Sequence, residues 1–157
     1  MLPVMRTVVT SVMGGLVLVA FALWFVFDDR ADMPDLLWLG IVLALGAAAA
    51  GLINRVGFHT PAVSPSATTD ESAQHSRASF QAGTITRMAM AEMPAIAAIA
   101  LAFVAQDGGY VLYLLGAVIS LSLLAVYALP TDGTIARTQR SLEREGGSAD
   151  LASALGR

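Results

Sequence analysis

The stretch MAMAEMPAIAAIALAFV, residues 88–104, is apolar almost throughout and long enough to cross most of a lipid bilayer. It contains one carboxylate, Glu92, and a proline, Pro94, two residues later. A segment in lipid must be helical, because no water is present to satisfy its backbone hydrogen bonds. The stretch therefore predicts a membrane-crossing helix that carries an acid inside the apolar layer.

The composition of the whole chain of 157 residues indicates the same class of protein. Hydrophobic residues make up 56% and charged residues 13%, whereas soluble domains carry about 25% charged residues. Four apolar runs have bilayer-crossing length, residues 7–27, 36–53, 88–105 and 110–129. We therefore predict an all-α integral membrane protein with one four-helix transmembrane unit over residues 1–129. No segment is left that could bury a separate soluble core.

The positions of the arginines predict how the chain is oriented. Only Arg30 falls in a loop on the predicted outer side, and the others flank the opposite ends of the four runs: Arg6, Arg55, Arg77, Arg87, Arg137, Arg140, Arg144 and Arg157. Short arginine-rich segments remain on the cytoplasmic side. Both termini are therefore expected in the cytoplasm. Abundant alanine and the absence of lysine suggest a GC-rich bacterial genome, so we expect a multi-pass protein of the bacterial cytoplasmic membrane.

The connection between the second and third runs, residues 54–87, has a different composition. It is rich in Ser, Thr, Pro and Ala and has few large apolar residues, so it cannot fold alone. We expect a flexible cytoplasmic loop that becomes helical from about Ser79 and runs into the third membrane helix. Its two histidines, His59 and His75, are isolated, and the chain has no cysteine, so no metal site is predicted.

The tail, residues 130–157, predicts short cytoplasmic helices. TDGTIARTQRSLEREGG, residues 131–147, has a capping residue near its start and reads as a helix of about three turns. A second short helix follows, with Leu151 and Leu155 four residues apart. Three interpretations remain open: a frayed polar tail, a tail lying on the membrane surface, and docking on a partner through these two leucines.

Small residues recur about one helical turn apart in the second and fourth runs: Gly40, Ala44, Ala48, Gly51, Gly116 and Ser120. Lipid is as apolar as leucine, so helices in membranes associate where small side chains let their backbones approach. Packing within the monomer is the preferred interpretation. Self-association into an oligomer would use the same residues.

Glu92 lies about 6 Å into the apolar layer, counted from Met88 at about 1.5 Å per residue. Burial without a close cation favours its protonated form, and Pro94 frees the carbonyl of Met90 as an acceptor. Three polar side chains fall at about the same level on other helices: Ser11, Asn54 and Tyr127. Three roles remain open for Glu92: a polar clasp between helices, exchange of a proton or cation, and contact with another subunit.

The central hairpin resembles a known family. LGIVLALGAAAAGLINR, residues 39–55, and AMAEMPAIAAIALAFV, residues 89–104, are similar to the two helices of the c subunit, or proteolipid, of rotary ATP synthases. The resemblance places Glu92 at that family's ion-binding carboxylate and implies proton or cation exchange. The chain as a whole resembles the small uncharacterised four-helix membrane proteins of high-GC Gram-positive bacteria, a resemblance that implies no particular activity.

The motifs of common enzymes are missing from the sequence. It has no P-loop, no nucleophile paired with a base, no pair of acids and no cluster of metal ligands, so we expect no catalysis and no cofactor. A net charge of -3 argues against binding to nucleic acid. We expect a non-enzymatic membrane subunit that stabilises or regulates a larger membrane complex, in contact with the lipid bilayer and with a protein partner or further copies of itself. The alternative is a small proton- or cation-translocating protein that uses Glu92 as the exchanging carboxylate.

Overall fold

The computed structural model describes residues 2–28, 32–66, 68–105, 107–146, 149 and 151–155. The predictions about Arg30 and Arg157 fall outside these ranges. Within them every regular element is helical. The helices are α1 (Leu2–Leu23), α2 (Leu36–Val56), α3 (Thr69–Ala102), α4 (Gly109–Leu123), α5 (Asp132–Leu142) and α6 (Leu151–Ala154).

Four helices are long and apolar enough to cross a membrane: α1, α2, α3, and α4 together with the π-helical turn Leu124–Ala128 that continues it. The prediction of four such helices in an all-helical chain is thereby confirmed. α4 does not end as a regular α-helix, because the N–H of Leu129 bonds the carbonyl of Leu124 at 3.0 Å, five residues back. Pro130 follows immediately and cannot continue the helix.

Helix α3 is much longer than its apolar run. It begins at Thr69, ten residues before Ser79, so the prediction of a flexible loop is wrong for residues 69–78, while residues 79–87 are helical as expected. The reason is a capping box: the side chain of Thr68 accepts from the N–H of Glu71, and the Glu71 carboxylate accepts from the N–H of Thr68. The sequence Thr-x-x-Glu at 68–71 is the signal that predicts such a start.

The four long helices form one bundle in which α3 and α4 are the central pair. α1 packs on α4 and α3, and α2 packs on α3 and α4. Charge divides the two ends of the bundle. We call one the arginine end, with Arg6, Arg55 and Arg87 and the helix α5, and the other the aspartate end, with Asp28, Asp32, Asp35 and Asp107.

The interior of the bundle is filled by small and branched side chains from all four helices, most of all in the half nearer the arginine end. The largest cluster there is Val9, Leu16, Ala49, Ile53, Ala91, Ala95, Leu123, Leu124 and Ala128. Four of its members are alanines, which bring the helix backbones close. Small residues therefore set the spacing of the bundle.

A second cluster lies beyond the arginine end and corrects two predictions. It contains Leu2, Val63, Phe80, Ile135, Leu142, Ala149, Leu151 and Leu155. The chain outside the apolar runs thus buries a small core of its own, which the sequence did not predict. Leu151 and Leu155 are buried in it, so these two leucines pack within the chain and are not exposed for docking on a partner. Arg77 Nε donates to the carbonyl of Ala154 and holds α6 against α3.

Helix α5 lies where the sequence places a helix of three turns. The hydroxyl of Thr131 accepts from the N–H of Thr134, and Thr134 Oγ1 accepts from the N–H of Thr131. Its apolar stripe, Ile135 and Leu142, enters the second cluster. The N–H of Val63 donates to the carbonyl of Leu142 at 2.9 Å, so α5 also fixes the position of the segment that follows α2.

Candidate functional site

Glu92 lies on the flank of α3 that faces α1. Seven residues return almost to the same helix face, and Ile99, seven residues after Glu92, packs against the cluster of α1 and α4 that includes Leu23 and Tyr110. Leu101, on the other flank of α3, packs against the cluster that includes Val42 of α2. Glu92 is half-buried, and its carboxyl forms no hydrogen bond or ion pair with any residue that the structure describes.

The polar side chains predicted at the level of Glu92 do not gather around it. Ser11 is exposed and lies about 200° around α1 from the buried Val9, so it faces away from the bundle. Asn54 Nδ2 donates to the hydroxyl of Tyr127 at 3.0 Å and to the carbonyl of Ala50 at 3.0 Å. The clasp is therefore between α2 and the end of α4, and Glu92 takes no part in it.

Pro94 is buried at the contact between α3 and α4. Next to it, the backbone N–H of Ala95 donates to Ser120 Oγ of α4 at 3.0 Å. Proline disturbs the helical hydrogen bonds around it, and a hydroxyl of the neighbouring helix here serves as the acceptor. Ser120 thus joins the two central helices by a buried polar bond.

A second polar bond ties α1 to the central pair. The hydroxyl of Tyr113, fully buried in α4, donates to the carbonyl of Leu16 in α1 at 2.7 Å. Since Leu16 is in the interior of a helix, its carbonyl serves this bond in addition to its helical one. The sequence offers no spacing that would have paired these two residues.

The predicted packing residues divide into two groups. Gly116 is at the contact of α4 with α3, where an added Cβ would clash with Ala98 and lie 2.9 Å from the carbonyl oxygen of Pro94. The four predicted residues of α2 are exposed: Gly40, Ala44, Ala48 and Gly51. Their assignment to packing within the monomer is wrong. The glycine of α2 that does pack is Gly46, whose added Cβ would lie 2.7 Å from Ile119 Cγ2.

Arg87 is the largest of the fully buried side chains that the structure describes. Its Nη1 donates to the carbonyl of Gly57 at 3.0 Å, and its Nη2 donates to Thr84 Oγ1 at 3.0 Å. The guanidinium carbon lies 4.5 Å from the centre of the Phe58 ring and 6.0 Å from that of Phe80. Arg87 thus joins α3 to the end of α2.

Positive charge is buried at Arg87 without a carboxylate. Its Nε has no hydrogen-bond partner in the described part of the chain, and none of the salt bridges found there includes it. Aromatic faces offset part of the desolvation of a guanidinium, which is more weakly hydrated than an ammonium. The sequence alone indicates Arg87 only as the boundary of the third apolar run. The signal was its spacing from Phe80 and Thr84, which places all three on one face of α3.

At the arginine end the structure therefore brings together Asn54, Phe58, Arg87, Tyr127 and, from α5, Arg137. Arg137 Nη1 donates to Asn54 Oδ1 at 3.4 Å, and the rings of Phe58 and Tyr127 lie 6.5 Å apart. This group is polar and aromatic, and it holds the ends of α2, α3 and α4 beside α5. The bonds of Arg87 in this group are buried, whereas those of Asn54 with Tyr127 and Arg137 are exposed.

Among the described residues no group of three or more His, Cys, Asp and Glu side chains could hold a metal ion. Comparison of the chain with protein-family models, curated proteins and solved structures found no match.

Proposed function

We propose that this protein is a non-enzymatic, multi-pass membrane component that stabilises or regulates a larger membrane complex, and that it binds a transmembrane helix of a partner protein through α2. The observation that carries the proposal is the outward position of the small-residue stripe of α2, formed by Gly40, Ala44, Ala48 and Gly51. Nothing lies within 4 Å of an added Cβ at Gly40 or Gly51.

The physical reason is the absence of a hydrophobic driving force between helices in lipid. Association there depends on close van der Waals packing, which small side chains allow. Two faces of α2 are lined by small residues. Among the described residues only the face of Gly46 packs on another helix, where an added Cβ would meet Ile119 of α4. The outward face, formed by Gly40, Ala44, Ala48 and Gly51, allows a second helix to approach closely.

The charge distribution supports the placement of the protein across a membrane. The arginine end carries Arg6, Arg55, Arg137 and Arg140, while the aspartate end carries exposed carboxylates. By the positive-inside rule the arginine end is cytoplasmic, so both termini and the second cluster face the cytoplasm of a bacterial cell.

The first test is extraction of the protein in a mild detergent from the cell that makes it, followed by native mass measurement and identification of the co-purifying proteins. We expect a complex with at least one further membrane protein. Recovery of a stable particle that contains this chain alone would overturn the proposal.

A second test locates the contact. Gly40→Leu and Gly51→Leu, which place a bulky side chain on the outward stripe, are expected to remove the partner from the purified complex. Gly14→Leu is the matched control, because Gly14 of α1 also has nothing within 4 Å of an added Cβ. Equal loss of partner in the control, or retention in both stripe variants, would contradict the use of α2.

A second candidate function is proton or cation translocation, favoured by the half-buried Glu92, whose carboxyl has no partner among the described residues. An ionisable group inside a membrane-crossing helix is costly and is a functional candidate for that reason. The test is flux of protons or sodium into liposomes that contain the purified chain. Translocation requires Glu92→Gln to abolish the flux, and an unchanged flux would eliminate this function.

A further inference from the structure

We propose that an open cavity at the arginine end binds a phosphate group, presented by an anionic lipid headgroup or free in solution, through Arg137 and Arg140. The cavity has a volume of about 430 Å³. Its lining includes two arginines of α5, Arg144 just after that helix, and polar or aromatic residues: Arg137, Arg140, Arg144, Asn54, Phe58 and Ser141.

Arg137 and Arg140 lie on one face of α5, because a spacing of three residues returns to the same side of a helix. Arg144 follows two residues after the helix ends. Arg137 uses one N–H on Asn54 Oδ1, and Arg140 uses its Nε on the carbonyl of Ala136 at 3.3 Å. A guanidinium has five N–H donors in a planar fork that matches a phosphate. Both side chains therefore keep donors for an anion.

The nearby carboxylates are directed elsewhere. Glu143 Oε1 accepts from Gln139 Nε2 at 3.1 Å and from the N–H of Ala149 at 3.3 Å. Glu145 lies 3.6 Å from Nε of Arg144, in an exposed pair. Among the described residues, Arg144 is the one of these three arginines that forms an ion pair. Arg137 and Arg140 are therefore the groups left to receive an anion.

A buried cation lies behind the cavity. The guanidinium carbons of Arg87 and Arg137 are 4.5 Å and 5.4 Å from the centre of the same Phe58 ring. Two positive charges on one ring repel each other, and no salt bridge compensates either charge among the described residues. An anion in the cavity would lower the energy of both.

The cavity also lies at the level where phosphates are found in a bilayer. Asn54 is near the end of the apolar run of α2, and α5 begins soon after the π-helical turn ends. If α2 and α4 cross the membrane, these ends reach the headgroup layer, where basic pockets bind anionic lipids. The inference thus rests on the membrane placement in the proposed function, and not on the partner of α2.

The test is titration of the full-length chain, purified in a neutral mild detergent, with phosphatidylglycerol and with phosphatidylcholine, read by native mass spectrometry. We expect phosphatidylglycerol to bind about tenfold more tightly. The double variant Arg137→Gln/Arg140→Gln is expected to lose about that factor. The control is Arg6→Gln/Arg55→Gln, which removes the same charge from exposed residues outside the cavity lining, and its affinity should change by about twofold or less.

Inorganic phosphate, exchanged for chloride at constant ionic strength, distinguishes the two sources. Displacement of phosphatidylglycerol by phosphate supports a site that also takes the free anion. Retention of the lipid supports a headgroup site. Equal binding of the two lipids, or equal loss in both double variants, would overturn the proposal.

Folding of each variant is checked by thermal unfolding. If Arg137→Gln/Arg140→Gln does not fold, Arg137→Lys/Arg140→Lys keeps the charge and removes the planar fork. We expect this variant to bind phosphatidylglycerol less tightly than the unaltered chain. Unchanged affinity would show that diffuse charge alone attracts the lipid, and would overturn the proposal. Because no partner protein is present in these experiments, their failure leaves the proposed role of α2 unaffected.

Discussion

The guanidinium carbon of Arg87 lies 4.5 Å from the centre of the Phe58 ring, and the same side chain bonds the carbonyl of Gly57 at 3.0 Å. One residue of α3 thereby caps the end of α2 and stacks on the segment that follows it. Gly57 permits the approach, because an added Cβ there would lie 2.8 Å from Arg87 Cγ. The junction of these two helices therefore depends on a buried cation.

Replacement of Arg87 by alanine is expected to destabilise the fold by about 3 kcal/mol, since it removes two hydrogen bonds and two aromatic contacts and leaves a cavity. Thermal or denaturant unfolding in a mild detergent measures the change. Arg55→Ala is the control, because Arg55 is exposed at the end of α2, and it should shift stability by less than about 0.5 kcal/mol. If the two variants lost the same stability, Arg87 would contribute only its charge, and its buried contacts would not stabilise the fold.

The bond between Ala95 and Ser120 predicts that two serines of α4 contribute differently to stability. Ser120→Ala leaves the buried N–H of Ala95 without its acceptor, a loss of about 1–3 kcal/mol. Ser122→Ala, two residues along the same helix, removes an exposed hydroxyl that bonds the carbonyl of Val118 and should be close to neutral. The free energies of unfolding of the two variants, measured under identical conditions, test this prediction. Equal stabilities would contradict a role of Ser120 in accommodating Pro94.

Glycine is required at one of the helix contacts. Gly116→Ala forces its new Cβ against Ala98 and the backbone of α3, so we expect a loss of about 1–3 kcal/mol. Gly15→Ala in α1, where nothing lies within 4 Å, is expected to be neutral or to stabilise by up to about 1 kcal/mol through helix propensity. A Gly116→Ala variant as stable as the unaltered chain would show that α3 and α4 can separate without loss.

The start of α3 should depend on pH. Bonds from the backbone and side chain of Thr68 lower the pKa of the Glu71 carboxyl below its ordinary value of 4.5. Because the folded pKa is the lower one, the carboxylate stabilises the helix start above the unfolded pKa, and the contribution is lost as pH falls through the folded value. The amides of residues 70–73 should exchange hydrogen faster, relative to their intrinsic rates, as the pH falls through the folded pKa of Glu71.

Glu71→Gln is the control for this titration, because the amide keeps an acceptor for the N–H of Thr68 and cannot ionise. Its protection factors at the start of α3 should be nearly independent of pH over the same range. If the unaltered chain and this variant respond alike to acid, the capping carboxylate does not set the pH response.

Much of the fold follows from residue patterns alone. Apolar runs of sufficient length predict the four long helices, because an unpaired backbone cannot remain in lipid. Thr131, with the apolar spacing of Ile135 and Leu142, predicts α5. The start of α3 was also within reach, since Thr68 and Glu71 are spaced as a capping box, and it was missed because the polar composition of residues 54–87 suggested a loop. These are local features, and local sequence determines them.

The candidate site could not be predicted in the same way. Which face of a helix turns inward depends on its neighbours, so the sequence could not show that Gly46 packs inside while Gly40 and Gly51 face outward. It likewise could not show that Asn54 meets Tyr127, that Glu92 faces α1, or that Arg87 is buried between Phe58 and Phe80. Each of these contacts joins segments far apart in the chain. The sequence by itself determined how many helices form and how apolar they are, because hydrogen bonding within a helix is local. Only the tertiary structure decided which side chains meet, because packing selects one rotation and register for each helix from many that its own sequence permits.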